Sequence, residues 1–143
     1  MLVVMAHDFL CLFDNGMVNF YSSKGKVTQS FNAGDEIFMM TEAPEKNGKQ
    51  DVYVGCYNGF VYRLSVDARV VWARALPDSA VRIALLPDGG IAAGTIGGDF
   101  CLLTPDGKIR NQHKVSGLIK DLTVEGKRLL VATDNGVVAA LPL

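Results

Sequence analysis

The chain has 143 residues, 49% hydrophobic and 20% charged, with a formal net charge of −1, the profile of one globular domain with a sizeable core. So even a charge balance gives no reason to expect nucleic acid, which without base-reading motifs is held by Lys and Arg gathered in excess on one face. No run approaches the roughly 18 apolar residues of a membrane helix, and the opening MLVVMAHDFLCLF has neither the basic start nor the small-x-small cleavage site of a secretory leader. A cytoplasmic chain with no membrane span is the default expectation.

That opening reads as two strands broken at His7-Asp8, the first running from Met1 to Ala6. From there the chain repeats itself. Aligned on Gly16, Gly59, Gly98 and Gly136, four stretches read FDNGMVNFYSSKGKV, CYNGFVYRLSVDARV, TIGGDFCLLTPDGKI and TDNGVVAALPL, at steps of 43, 39 and 38 residues. A period near 40 with internal turn signals points to a repeat architecture. Nine residues after each of the first three glycines stands a second turn residue, Gly25, Ala68 or Gly107. A basic residue follows it, Lys26, Arg69 or Lys108, and then Val27, Val70 or Ile109.

Each unit parses into four strands. In the third, VRIALL, IAAGTI, DFCLLT and KIRNQHKV are separated by PDGG, Gly97-Gly98 and PDG, and two-residue loops of the NG, GG and DG kind predict tight antiparallel hairpins. FVYRLSV alternates, placing Phe60, Tyr62, Leu64 and Val66 on one face and Val61, Arg63 and Ser65 on the other. No helical stripe competes. The expected units are residues 1–34, 35–78, 79–116 and 117–143, the last with three strands only. Between the first and second strands of the second unit stands one polar insertion, TEAPEKNGKQ at residues 41–50, read either as a partner-specific loop or as a mobile, solvated excursion.

An all-β chain of four-stranded antiparallel units, each needing cover on both sheet faces, fits a β-propeller, whose blades stack around an axis so that each covers the next. A sandwich of unrelated hairpins accounts for the strands but not for the constant nine-residue interval. Residues 51–76, DVYVGCYNGFVYRLSVDARVVWARAL, resemble a blade of the quinoprotein-like (pyrroloquinoline-quinone-type) or WD-repeat-like propellers. The match lies at Val52, Tyr53, Val54, Gly55, Tyr62, Leu64, Asp67 and Trp72, and it implies a tryptophan packed between blades. Gln29 and Asn111 stand in its place in the first and third units.

The fourth unit reaches VVAALPL where its outermost strand should begin. Val137, Val138, Leu141 and Leu143 are therefore expected at an unpaired sheet edge, whose free N–H and C=O groups invite another strand. The expectation is a partial propeller: a fragment of a longer ring, half of a two-copy ring, or a self-closed four-bladed one. Two open outer faces would expose more apolar surface than a monomer tolerates, and a two-fold pair would cover both.

Chemistry is sparse. His7 and His113, the two histidines, fall in different parts of different units with no nucleophile at a matching position, and read as surface or capping residues. Cys11, Cys56 and Cys101 occupy three different repeat positions and read as small buried hydrophobes. GGIAAGTIGG, residues 89–98, lacks the GK[ST] ending and the following helix of a phosphate loop, so its glycines are assigned to hairpins. Lys26, Arg69 and Lys108 are expected to open the outermost strands near the rim, offset by Asp67 and Asp106.

Where the channel opens, Asp35, Glu36, Arg82, Lys120 and Asp121 are expected near the axis, with Asn15, Asn58 and Asn135 on the same face. Their mixed charge suits a protein partner. The reading is a non-enzymatic scaffold for protein–protein interaction, with no catalytic residue, metal or cofactor. One alternative is a fragment of a quinone-cofactor dehydrogenase, which by resemblance would hold a calcium-bound cofactor with carboxylates and often a vicinal cysteine pair. The chain has no such pair. A small-ligand sensor is the other alternative.

Overall fold

The structure, a computed structural model, describes the backbone of residues 2–4 and 10–143 and the side chains from residue 15 onward. His7 and the side chain of Cys11 lie outside the described residues. The elements form four antiparallel sheets in chain order. The first comprises β1 (Leu2–Val4), β2 (Leu10–Asp14), β3 (Met17–Tyr21) and β4 (Val27–Asn32). The second comprises β5 (Ile37–Glu42), β6 (Val52–Cys56), β7 (Phe60–Leu64) and β8 (Val70–Ala75). The third comprises β9 (Ala80–Leu85), β10 (Ile91–Thr95), β11 (Asp99–Leu103) and β12 (Ile109–Lys114). The fourth has three strands, β13 (Ile119–Glu125), β14 (Arg128–Thr133) and β15 (Val138–Pro142). First strands lie against one another, β5 beside β9 and β9 beside β13, so they line the common axis and the fourth strands form the rim.

The core lies between sheets rather than within one. Val18 and Phe20 of the first sheet meet Val52, Val54 and Leu64 of the second. On its other face the second sheet sends Tyr53 and Val61 against Ile83, Ile91 and Leu103 of the third. The third in turn sends Ala92, Phe100 and Leu102 against Ile119, Leu129 and Val131 of the fourth. Successive residues of one strand thus feed two clusters, as the period of two requires. Strands β6 and β10, covered on both faces, are buried at every position. Each enclosed Val, Leu or Ile contributes about 1.5–3 kcal/mol of transfer free energy.

The turns differ from expectation in length. Asn15-Gly16 is a two-residue connection, Asp14 pairing with Met17 and both turn residues at positive φ, 46° and 79°, as a type I′ turn requires. The third sheet instead uses three-residue loops, Pro87-Asp88-Gly89, Ile96-Gly97-Gly98 and Pro105-Asp106-Gly107, with the last glycine at φ 85°, 90° and 84°. A left-handed third residue restores the hairpin twist after the first two; the GG and DG pairs mark only the end of each loop.

The nine-residue interval has a geometric cause. Gly25, Ala68 and Gly107 all sit at positive φ (76°, 58° and 84°). Each N–H donates to the carbonyl of Ser22, Ser65 or Thr104, whose own N–H donates to the carbonyl of Lys26, Arg69 or Lys108. The outer strand starts at the next residue in every case. The insertion at 41–50 is a hairpin extension, exposed from residue 44 to residue 49. Thr41 and Glu42 belong to β5, Ala43 N–H donates to Asp51, Lys46 bridges Lys49, and Asn47-Gly48 turn at positive φ.

Candidate functional site

The loops leading into the inner strands and the turns after the second strands share one end of the molecule. Asn15 lies beside Asn32, Asp35 and Glu36 around a shallow depression. Asn58 Nδ2 donates to Ala33 O, and Asn135 Nδ2 donates to Ser116 Oγ. Arg82, on β9, reaches across to the fourth sheet, its Nε donating to Lys120 O at 2.6 Å. Asp121 accepts from the N–H of Leu122. Asp35 and Glu36, Arg82, and Lys120 with Asp121 thus stand on three successive sheets. Among the described residues no ion pair joins them, and no group of three His, Cys, Asp or Glu could hold a metal ion.

The interface between the second and third sheets shows how one covers the next at the rim. Trp72 Nε1 donates to Pro105 O at 2.9 Å, Arg63 to the same carbonyl at 2.6 Å, and Arg74 Nε to Gly107 O at 2.7 Å. Arg63 also pairs with Asp51 at 2.7 Å. Trp72 packs beside Tyr53 at 5.8 Å and so closely over Gly107 that a Cβ there would lie 2.6 Å from the indole. Three donors on the second sheet therefore grip the outer turn of the third. The tryptophan stands between sheets, as the resemblance implies.

The fourth sheet lacks such cover. One repeat position reads Val18, Val61, Phe100 and Val138 along the chain, and its relative exposure is 0%, 0%, 3% and 72%. Beside Val138 on the same outer face lie Ala132, Leu130 and Ala140, paired across β14 and β15. Of the four residues expected at the edge, Val137 and Leu143 turn their main chains inward, through Thr133 N–H to Val137 O and Leu143 N–H to Lys127 O. Leu141 packs its side chain against the third core cluster. Antiparallel pairs alternate between inward and outward bonding, so the free edge is offered by Val138 and Ala140. Sequence reading missed Leu130, Ala132 and Ala140; the alternation of β14 and β15 was the available signal.

His113 differs from expectation. It is half-buried, neither surface nor cap, and stacks on Phe100 at 5.1 Å and 20°. Its Nε2 is enclosed without a hydrogen-bond partner. Cys56 and Cys101 are free and fully buried. Burial pushes both thiols up, that of Cys101 to about 11 with further help from Asp99, which suppresses the reactive thiolate.

No family model and no curated protein matches the chain. Solved structures do match it. BBS1N, solved in complex with ARL6DN, superposes with a TM-score of 0.77 at 18% identity, over 99% of this chain and 50% of its own. The PQQ-like BamB from Moraxella catarrhalis superposes at 0.78 and 18%, over 99% and 45%. Both are β-propellers. The chain is a partial β-propeller. It spans about half the length of these two, and its four sheets are blades. The computationally designed Ika4 protein matches at 0.84 and 11%, over 97% of this chain and 88% of that one. No helix among the described residues is long and apolar enough to cross a membrane.

Proposed function

We propose that this chain is a non-enzymatic interaction scaffold whose fourth blade is covered by another protein, either a second copy or a different chain. One observation carries the reading: the repeat position buried in three blades is open in the fourth, on a face that also presents Leu130, Ala132 and Ala140. An exposed apolar β face beside a sheet edge is the kind of surface proteins use for association. The polar channel mouth, with Asp35, Glu36, Arg82, Lys120 and Asp121 carrying both charge signs, supplies a second surface that favours protein partners over a single anion.

Solution mass tests the proposal. A species of twice the chain's 15.4 kDa, or a larger complex with a captured chain that Val138→Asp abolishes, is the expected result. A 15.4 kDa monomer at every concentration, with residue 138 protected from solvent, contradicts it and indicates closure into a four-bladed ring.

A further inference from the structure

Four Asn-Gly pairs occur in the chain, at residues 15–16, 47–48, 58–59 and 135–136, and each lies in a hairpin turn. An asparagine followed by glycine carries a reaction of its own. The glycine nitrogen attacks the side-chain amide carbon and closes a five-membered ring, and a glycine, having no Cβ, leaves that approach unhindered. Two conditions govern the reaction in a folded protein. The side-chain amide must be free to rotate onto the nitrogen, and the turn must open, because a hairpin turn holds that nitrogen away from the side chain.

Three of the pairs are held. Asn58 has both ends of its amide engaged, Oδ1 accepting from Phe60 N–H at 3.0 Å and Nδ2 donating to Ala33 O at 3.3 Å, and the Gly59 nitrogen itself donates to Cys56 O. Asn135 is engaged in the same way. Its Oδ1 accepts from Thr133 Oγ1, its Nδ2 donates to Ser116 Oγ at 3.1 Å, and Gly136 N–H donates to Thr133 O. Asn15 has no side-chain bond among the described residues, but Gly16 is buried against the loop entering the second blade. A Cβ on Gly16 would lie 2.5 Å from Asp35 O, and Gly16 O accepts from Ala33 N–H, so opening that turn disturbs the junction of two blades.

The fourth pair stands at the tip of the hairpin extension. Asn47 and Gly48 are both exposed, at φ 53° and 72°, and among the described residues neither the Asn47 amide nor the Gly48 nitrogen makes a hydrogen bond. The turn is closed by two main-chain bonds between Lys46 and Lys49, at 2.8 and 3.0 Å, and the next rung below is Ala43 N–H to Asp51 O. Residues 44–49 are exposed throughout. A tip with few bonds and no buried side chain opens at little cost, whereas turns built into a blade open only against its packing.

We infer that Asn47 is a site of spontaneous deamidation, converted in the folded protein ahead of the other three. The Gly48 nitrogen bonds to Asn47 Cγ, the Cγ–Nδ2 bond breaks, and the Gly48 proton leaves with the amide nitrogen as ammonia. Water then opens the succinimide. Opening at Cγ gives aspartate, and opening at the main-chain carbonyl gives isoaspartate, whose main chain runs through Cβ and Cγ. Either product sets a carboxylate between Lys46 and Lys49. Isoaspartate also lengthens the turn by one carbon, so the two-residue connection and its Lys46–Lys49 bonds are lost while the Ala43–Asp51 rung stays. The inference is independent of the scaffold reading.

The test is peptide mapping by mass spectrometry of the intact protein during incubation at neutral pH, with isoaspartate read by an isoaspartyl methyltransferase and labelled S-adenosylmethionine. Conversion at residue 47 should run about tenfold or more ahead of residues 15, 58 and 135, and a more acidic form should grow in on isoelectric focusing. In the urea-unfolded chain the four rates should converge. Asn47→Gln should suppress the acidic form with the melting temperature little changed. Ser116→Ala, which removes the acceptor of Asn135 Nδ2, should speed residue 135 and leave residue 47 as it was. Residue 15, 58 or 135 converting as fast as residue 47 in the folded protein overturns the inference. So does an Asn47 that stays intact over the time in which the unfolded chain converts it, or an acidic form of undiminished yield in Asn47→Gln.

Discussion

Val61 and Val138 are the same amino acid at the same step of the repeat. Val61 is enclosed by Ile83, Ile91 and Leu103 of the next blade, while Val138 looks onto an open face. The surroundings of Val61 are also fastened at the rim, where Trp72, Arg63 and Arg74 hold the Pro105 and Gly107 carbonyls. The corresponding donors of the third blade, Asn111 and His113, hold no such turn. Burial in a stacked repeat is therefore a property of the neighbour, not of the residue. An apolar face left over at one end is a surface that a further protein can cover.

That comparison breaks most sharply under charge. Val61→Asp places a carboxylate in a closed interface and should cost more than about 4 kcal/mol, leaving little folded protein by circular dichroism. Val138→Asp should alter the stability of the isolated chain by no more than about 0.5 kcal/mol and act on assembly alone. Equal losses in the two variants would show that the fourth blade's outer face is not open.

Next in size is a pair of glycines sharing one repeat position. Gly25 and Gly107 sit at φ 76° and 84°, yet a Cβ at residue 25 meets nothing within 4 Å while one at residue 107 strikes the Trp72 indole. Both alanine variants pay left-handed strain of about 1–2 kcal/mol, a conformation Ala68 already adopts at this place. Gly107→Ala should cost about 1–3 kcal/mol more, from overpacking, a difference readable in urea denaturation midpoints. Trp72→Phe, which keeps a ring there and removes the bond to Pro105, should cost about 1 kcal/mol.

The smallest effect concerns Cys101, whose thiol burial raises from 9.0 to about 11. Because the folded value lies above the unfolded one, its contribution to stability is complete below about pH 9 and is lost as pH rises toward about 11. Cys101→Ala should therefore flatten the fall in melting temperature between those values. An unchanged slope would mean that the thiol is reached by water.

These contrasts also explain what the sequence could carry. The turn glycines, the nine-residue interval and the two faces of FVYRLSV were legible because positive φ and strand alternation are local: Leu64 with Tyr62 and Val66 turns to the first blade, Val61 to the third. The loop lengths in the third blade were not, since a GG or DG pair does not say whether a residue precedes it in the turn. The burial of His113 depends on Phe100 across the strand pair and on the blade beyond, a relation absent from its immediate sequence. At the channel mouth the expected residues sit on successive blades, but spacing alone could not reveal that Arg82 is committed to Lys120 O.

The most direct measurement is the reactivity of a cysteine introduced by Val138→Cys, read by peptide mapping against dilution and beside Phe100→Cys. Position 100 should stay protected at every concentration, while position 138 reacts freely when the chain is dilute and becomes protected as it assembles or its partner is added. A position 138 shielded in dilute monomer, or reactive under all conditions with every candidate partner, would contradict the account.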